Sequence, residues 1–373
     1  MKWAFICIAD GLMKNEDLFL QMSSTTENSP YHREKNVLVH TQMVLNKYFE
    51  LTPETWELSH VEGAFACLFH DVGKPAAQVD KFTEERGNYH SYPGHEIISA
   101  RIWENWIVNN YEAVTAVMPD FKFESIYCIG WMIEHHLPYK ITNNYKLECI
   151  YKTGRSMGPD TYTNVLIADS MGRTTDNVVE QISRMNTWID AYKAYELPFN
   201  EKLFNDFPSL KHMHMFIGPS GAGKSTIVNM MLSTASEITP KVFSLDELRL
   251  KWYSDFLIMD PIVQYDAVHA AAKADPDFTK KWQREYVNFI KKGERFIIID
   301  GTNLTAKHRR FFLDVAKNNN YITHGVYVTS SLQILKDNQA DRTDKFVTDE
   351  VLEKQYATIQ YPSYHEFDMI YVL

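Results

Sequence analysis

Cysteine is scarce in this chain. Cys7, Cys67, Cys128 and Cys149 stand far apart and form no CxxC pair. That pattern argues against a thiolate metal cage and a disulfide scaffold, and it suits reduced, partly buried thiols in a cytosolic protein. Long apolar runs are missing too. The opening stretch MKWAFICIADGLMKNEDLF holds only about seven apolar residues in a row before Asp10 interrupts it, with no small-residue cleavage pattern and nothing near the roughly twenty residues of a membrane span. Neither export nor insertion is expected, so the expected location is cytoplasmic with no membrane partner. Positive charge is in short supply as well: residues 1–200 carry 17 Lys and Arg against 26 Asp and Glu, and residues 201–373 carry 21 against 22. Long duplex nucleic acid is therefore a poor partner, whereas a phosphate-bearing chain end read by a few basic residues is compatible with these charges. Internal repeats and low-complexity tracts are also absent.

What is present divides into two grammars. At 373 residues the chain exceeds a comfortable single core, and 45% hydrophobic with 23% charged residues suits folded, soluble domains. From about 33 to 200 the apolar residues recur at helical spacing, as in Val37, Val39, Val44 and Leu45 or Ile97, Ile98, Ile102 and Ile107, which predicts an all-α domain. Gly94, Pro119, Pro138 and Pro159 mark its turns. The run KLFNDFPSLK at 202–211, with Pro208, reads as a connector. After it come short apolar strands alternating with helices: His212 to Gly218, Arg295 to Ile299 and Ile322 to Val328. This predicts an α/β domain with a parallel sheet. The expected domains are 1–203 and 204–373, and residues 255–290 read as a helical insertion.

The strongest motif is Gly218-Pro-Ser220-Gly221-Ala222-Gly223-Lys224-Ser225-Thr226, a GxxxxGK[ST] loop with a strand before it and a helix after it. Its amides can wrap the phosphates of ATP or another nucleoside triphosphate, Lys224 can reach the β and γ phosphates, and Ser225 can bind Mg²⁺. Further on, LDELR places Asp246 three residues before Arg249. A carboxylate there can take the proton of an acceptor hydroxyl and the arginine can hold an acceptor phosphate; the plainer alternative is a helix cap by Asp246. Asp300, Thr302 and Asn303 end a buried strand, where open α/β sheets bind ligands, with Asp300 suited to magnesium or its water and Thr302 and Asn303 to orienting the acceptor. Arg342 is a candidate lid arginine. The series GPSGAGKST, LDELR, DGTN with Arg309 and Arg310, then Arg342 and a HEFDMIYV tail resembles the 5′-hydroxyl polynucleotide kinase family. The resemblance implies that Asp246 is the general base, that Arg249 contacts the phosphate beside the accepting nucleotide, and that Arg342 belongs to a lid over the ATP phosphates. A second lid arginine, expected four residues before Arg342, is replaced by Asn338, so either another basic residue such as Lys336 or Lys345 substitutes or the lid is differently built.

The helical half carries its own chemistry. His70-Asp71 closes an apolar run, His40 lies upstream, and His95, the pair His135-His136 and Asp169 follow. Nitrogen and oxygen donors of this kind suit one or two divalent transition ions, among manganese, nickel, cobalt, zinc and iron. His32 and His90 are decoys, with His90 an alternative to His95. Lys74 and Arg173 are placed to neutralise a phosphate. The order H, HD, H, HH, D across about 35–175 resembles the HD metallohydrolase superfamily. That resemblance implies a first metal on His40, His70, Asp71 and Asp169, and a second sharing Asp71 with His95 and His135 or His136.

The two halves in this order resemble the HD-Pnk end-healing family. The resemblance implies removal of a 2′,3′-cyclic, 2′- or 3′-phosphate by the first half and ATP-dependent phosphorylation of a 5′-hydroxyl by the second. The implied partners are RNA or DNA termini, with a separate RNA ligase acting downstream. Rival readings are an HD nucleotidase fused to a small-molecule kinase, a kinase with a non-catalytic HD module, and a nucleotide-gated scaffold.

Overall fold

The computed structural model describes residues 1–27, 33, 34, 36–84, 87–175, 178–197, 210–234, 239–255 and 260–373. His32, the connector at 202–209 with Pro208, and the expected 203/204 boundary lie outside the described residues. The chain separates into two compact units, Met1–Pro198 and Phe199–Leu373.

In the first unit helices dominate: α1 Lys2–Asn15, α2 Asp17–Ser24, α3 Val37–Leu51, α4 Leu58–Phe69, α5 Lys74–Ala77, α6 His95–Val117, α7 Glu124–Glu134, α8 Asn144–Met157, α9 Pro159–Met171 and α10 Val178–Ala194. The centre is α4, buried continuously from Gly63 to Phe69 because its sequence is apolar on every face. Its Phe65 ring meets Phe5 at 5.0 Å and Trp103 at 5.3 Å between centroids, so three helices share one aromatic core. Asn36 caps α3 by accepting from the Val39 amide at 2.9 Å, and Glu57 with His60 forms a reciprocal capping box at the start of α4. Two glycines set how closely the helices approach. A Cβ at Gly73 would lie 2.6 Å from the His95 carbonyl oxygen, and one at Gly172 would lie 2.6 Å from the Val44 Cα. Any larger residue would push apart elements that carry the site described below.

The all-α expectation needs one correction. Between α5 and α6 the chain forms an antiparallel hairpin, β1 Val79–Thr83 paired with β2 Gly87–Ser91. All five residues of β1 are exposed, so the hairpin buries no apolar stripe that periodicity could reveal.

Among the described residues of the second unit a five-stranded parallel sheet forms from β3 Lys211–Ile217, β4 Lys241–Ser244, β5 Phe296–Asp300, β6 Tyr321–Tyr327 and β7 Met369–Val372, in the order β4-β5-β3-β6-β7. Its helices are α11 Lys224–Thr234, α12 Leu245–Tyr253, α13 Pro261–Ala274, α14 Phe278–Lys291, α15 Ala306–Lys317, α16 Leu332–Ala340 and α17 Asp349–Thr358. The three strands expected from sequence are present, with β4 and β7 added at the edges. The stretch expected as an insertion is helical in its described part, and α14 is part of the core: Tyr286 is fully buried, donates to the Phe312 carbonyl at 2.9 Å and packs on Phe243. Because β3 lies between β5 and β6, the chain reverses its direction of travel across the sheet there. The carboxyl ends of the central strands flank the crevice where such sheets hold ligands.

Candidate functional site

Four buried histidines and two buried aspartates converge in the first unit. His40 comes from α3, His70 and Asp71 from the end of α4, His95 from the first turn of α6, His136 from just beyond α7, and Asp169 from α9. His70, His95 and His136 each direct Nδ1 at a backbone carbonyl, of Cys67 at 2.8 Å, Tyr92 at 2.7 Å and Ile133 at 2.8 Å. A carbonyl can only accept, so Nδ1 carries a proton and Nε2 is the nitrogen turned inward as a candidate ligand. The inward nitrogens then meet in pairs: His40 and His70 Nε2 are 3.3 Å apart, and so are His95 and His136 Nε2. Two facing lone pairs repel unless a proton or a metal ion lies between them.

The carboxylate of Asp71 spans both pairs. Its Oδ2 is 3.1 Å from His70 Nε2 and 3.5 Å from His40 Nε2, while Oδ1 is 3.1 Å from His95 Nε2 and 3.7 Å from His136 Nε2. Asp169 Oδ1 joins the first pair, 3.3 Å from His40 and 3.7 Å from His70, and its Oδ2 is buried without a hydrogen-bond partner. The donor atoms of His40, His70 and Asp71, and those of Asp71, His95 and His136, are each grouped closely enough for one cation. The residues therefore fit divalent metal: all-N/O donors, oriented rings and an unsatisfied buried carboxylate oxygen. Electrostatics agrees. Burial alone would lower the His40 pKa, yet Asp169 and Glu34 push it up to about 9, so the carboxylate side of the cluster attracts positive charge. Burial raises and His70 and Lys74 more than offset, holding Asp71 well below the usual carboxylate range.

Among the alternatives left open by sequence, His136 enters the cluster and His135 does not. The His135 ring stacks on Trp131 at 4.5 Å, and its Nδ1 meets the Trp131 carbonyl. His95 is in the cluster, whereas His90 sits on the hairpin with Asp80 at 2.8 Å. Lys74 and Arg173 are both engaged by acids: Lys74 Nζ lies 2.5 Å from Glu27 and 2.7 Å from Asp71, and Arg173 holds Asp169 Oδ1 at 2.5 Å. They lock the carboxylates in place. Sequence reasoning missed Glu27 and Glu34. Glu34 approaches His40 Nδ1 at 3.6 Å and accepts from the Thr174 amide at 2.7 Å. Both precede α3, in a region without periodicity, and nothing in the sequence pattern singles them out.

In the second unit the loop after β3 has Gly221 and Gly223 at φ +86° and +87°, the left-handed conformations that let successive amides face one concavity. Lys224 is buried at the start of α11 and donates to the Pro219 carbonyl at 2.5 Å, while Ser225 and Thr226 are exposed on the first helical turn. Ser220 N donates to Gln355, and Asn338 donates to the Gly221 carbonyl at 2.7 Å, so the residue standing where a lid arginine was expected braces the loop instead. Burial, with Lys345 and Arg342 adding to it against Asp300, lowers the Lys224 pKa to about 7. A pocket so rich in cations is arranged to receive an anion.

Asp246 follows β4, and Ser244, not Asp246, takes the N-cap of α12 by accepting from the Glu247 amide. That frees the Asp246 carboxylate to meet Arg249 at 2.6 Å, Lys345 at 2.9 Å and His269 at 3.5 Å. Burial raises its pKa, but His269, Lys345 and Arg249 outweigh it and hold the group far below the usual range. Beside it Arg249, His269, Lys273 and Phe278 line an open pocket of about 340 Å³. Arg342 pairs with Asp344 at 2.8 Å, Lys336 pairs with Glu353, and Lys345 reaches Asp246. Thr302 accepts from the Gly218 amide through its carbonyl, and Asn303, at φ +47°, donates to the Phe216 carbonyl at 2.8 Å. Both contacts tie β5 to the phosphate loop. Arg309 is fully buried on Glu366 at 2.8 Å, so the DGTN-Arg and HEFD segments are joined by a structural ion pair.

A family model described as an AAA domain matches residues 213–362. The parallel sheet and the phosphate loop agree with that match and make the second unit a P-loop α/β domain. Among solved structures, a Janibacter sugar kinase matches at 15% identity over 44% of this chain and 84% of its own, with a TM-score of 0.31. A gluconokinase from Sinorhizobium meliloti matches at 15% identity over 40% and 76%, TM-score 0.29, and Chaetomium thermophilum Kti12 with ADP-AlF3 at 14% over 43% and 88%, TM-score 0.32. No curated protein matched. Among the described residues no helix is long and apolar enough to cross a membrane.

Proposed function

We propose that the chain heals broken RNA ends, with a metal-dependent phosphohydrolase in its first unit and an ATP-dependent 5′-hydroxyl kinase in its second. The observation that carries the hydrolytic half is the two-sided use of Asp71, one oxygen toward His40 and His70 and the other toward His95 and His136. Two divalent transition ions held there would supply an activated water and a clamp on phosphoryl oxygens. The protein's own part is to fix the ligands: Lys74 locks Asp71, Arg173 locks Asp169, and the three backbone carbonyls hold the imidazoles.

In the kinase half, Asp246 takes the proton of the 5′-hydroxyl as its oxygen bonds to the γ phosphorus and the bond to the β–γ bridging oxygen breaks, leaving ADP. Lys224, Lys345 and Arg342 neutralise the phosphates. Arg249 exchanges its bond to Asp246 for the phosphate beside the accepting nucleotide, freeing Asp246 Oδ1 for the hydroxyl. Ser225 would hold Mg²⁺, which would neutralise charge on the ATP phosphates. Acting at ends needs few phosphate contacts, which agrees with the near-neutral charge of residues 201–373. RNA termini are the proposed partner, with ligation left to a separate enzyme.

The test supplies the full chain with ATP, Mg²⁺ and Mn²⁺ and an oligoribonucleotide bearing a 5′-hydroxyl and a 2′,3′-cyclic phosphate, and reads each end by mass. Gain of a 5′-phosphate with loss of the cyclic phosphate is expected. Phosphorylation of free nucleosides in preference to the oligonucleotide would refute the kinase assignment, and an untouched cyclic end would refute the hydrolase.

A further inference from the structure

Resting on the hydrolytic reading above, a gap in that site asks for a further residue. A phosphate arriving at the cluster brings negative charge to a place already holding Glu27, Glu34, Asp71 and Asp169. The two cations nearest the ligands are committed: Lys74 is clamped between Glu27 and Asp71, and Arg173 binds Asp169 through both its side chain and its backbone carbonyl. Withdrawing either to hold substrate would leave a buried carboxylate unpaired, which is expensive. Another cation stands at the rim. Two residues after His136 begins a short 3-10 turn, Pro138–Lys140, tied to the cluster because Tyr139 shares a hydrogen bond with Arg173, itself bonded to Asp169. Lys140, at the end of this turn, is exposed and has no ion-pair or hydrogen-bond partner for its ammonium among the described residues. The charges of Asp169, Arg173, Lys74 and Asp71 all act on it.

We infer that Lys140 is the substrate-phosphate ligand of the first unit, its ammonium binding a non-bridging oxygen of a phosphomonoester or 2′,3′-cyclic phosphate at an RNA end. Lys74 and Arg173 are then positioning residues that hold the metal-binding carboxylates. A lysine at the rim provides a flexible point charge, suited to accept both cyclic and open phosphates without a fixed fork geometry. The division of labour also separates two effects of mutation: removing Lys140 weakens the hold on phosphate, while removing Lys74 disturbs Asp71 and with it the metal.

The experiment compares full-length protein carrying Lys140→Ala, Lys140→Arg or Lys74→Met with the unsubstituted chain, each loaded with Mn²⁺. Bound metal is counted by mass spectrometry. Inorganic phosphate affinity is measured calorimetrically in a Lys224→Ala background, which removes the anion hold of the phosphate loop. Kinase activity of the single variants checks folding. Lys140→Ala is expected to weaken phosphate binding about tenfold, the loss of one charge-assisted hydrogen bond. It should raise KM for a cyclic-phosphate end more than it lowers kcat, and leave metal content and kinase activity unchanged. Lys140→Arg should restore most of the affinity, and Lys74→Met should lose metal. Unchanged phosphate affinity in Lys140→Ala, loss of metal in that variant, or a metal-loaded parent that binds no phosphate would each overturn the inference. If the parent binds phosphate through Lys140 but hydrolyses no phosphoester, the enzymatic reading fails while the anion site stands.

Discussion

On the proposed function, the two units would hold phosphate by opposite means. In the second, nine consecutive residues, Gly218 to Thr226, supply a ring of amides, one buried lysine and a helix start, so the device is contained in one loop and survives wherever that loop is correctly joined to a strand and a helix. In the first, six side chains gathered from five helix ends and faces between His40 and Asp169 meet only when the helices pack. A local device depends on backbone conformation. A dispersed one depends on tertiary distances, and every packing contact that sets those distances is part of the site.

Mutation should expose that contrast most sharply at Asp71. Asp71→Ala removes an oxygen from each side of the cluster, and hydrolysis of the cyclic end should fall to background while 5′-phosphorylation stays within about twofold, since the sites are separate. End analysis of one reaction mixture reads both, and parallel loss in a folded variant would break the separation. Asp246→Ala gives the mirror image, a fall of about 10²–10⁴ in kinase kcat as expected for loss of a general base, with hydrolysis intact. A smaller effect is expected from Glu34→Gln, which keeps size but removes the charge beside His40 Nδ1. Metal affinity should drop about 10–100-fold, measured by chelator competition.

The gentlest test uses pH. Lys224 has its pKa lowered to about 7 by burial among other cations, and bound triphosphate would raise it again. The protonated lysine binds ATP better, so affinity should be flat below pH 7 and fall as pH rises above it, with proton uptake on binding at pH 8 and little at pH 6. Calorimetry in buffers of different ionisation enthalpy measures this; uptake that is the same at both values would contradict it. Asp246 shows the opposite sign. Its neighbours hold it far below the carboxylate range, so it remains ionised across the acid limb and contributes no loss of rate between pH 7 and 5.

The same contrast explains what could be read from the sequence. The phosphate loop was legible because its spacing is its geometry, and the buried runs around Ile298 and Met215 were legible as strands because a sheet covered on both faces needs unbroken apolar residues. The histidines and aspartates were legible as a set, but not their choice of partner. Nothing in HHLP distinguishes His136, which turns inward, from His135, which stacks on Trp131. Glu27, Glu34 and the engagement of Lys74 and Arg173 were hidden because they depend on contacts between residues far apart in the chain, Lys74 with Glu27 and Thr174 with Glu34. The hairpin was hidden because its exposed strands carry no apolar signal. Asn338 was read as a missing arginine and is found bracing the loop, a role visible only once α16 is placed against Gly221.

For the proposed hydrolysis Asp71 must serve two cations at once. Anomalous diffraction from crystals of the full chain loaded with Mn²⁺ should show two peaks about 3.5–4 Å apart, one beside His40 and His70 and one beside His95 and His136, with the Asp71 carboxylate between them. A single peak away from Asp71, or none among these histidines, would contradict it.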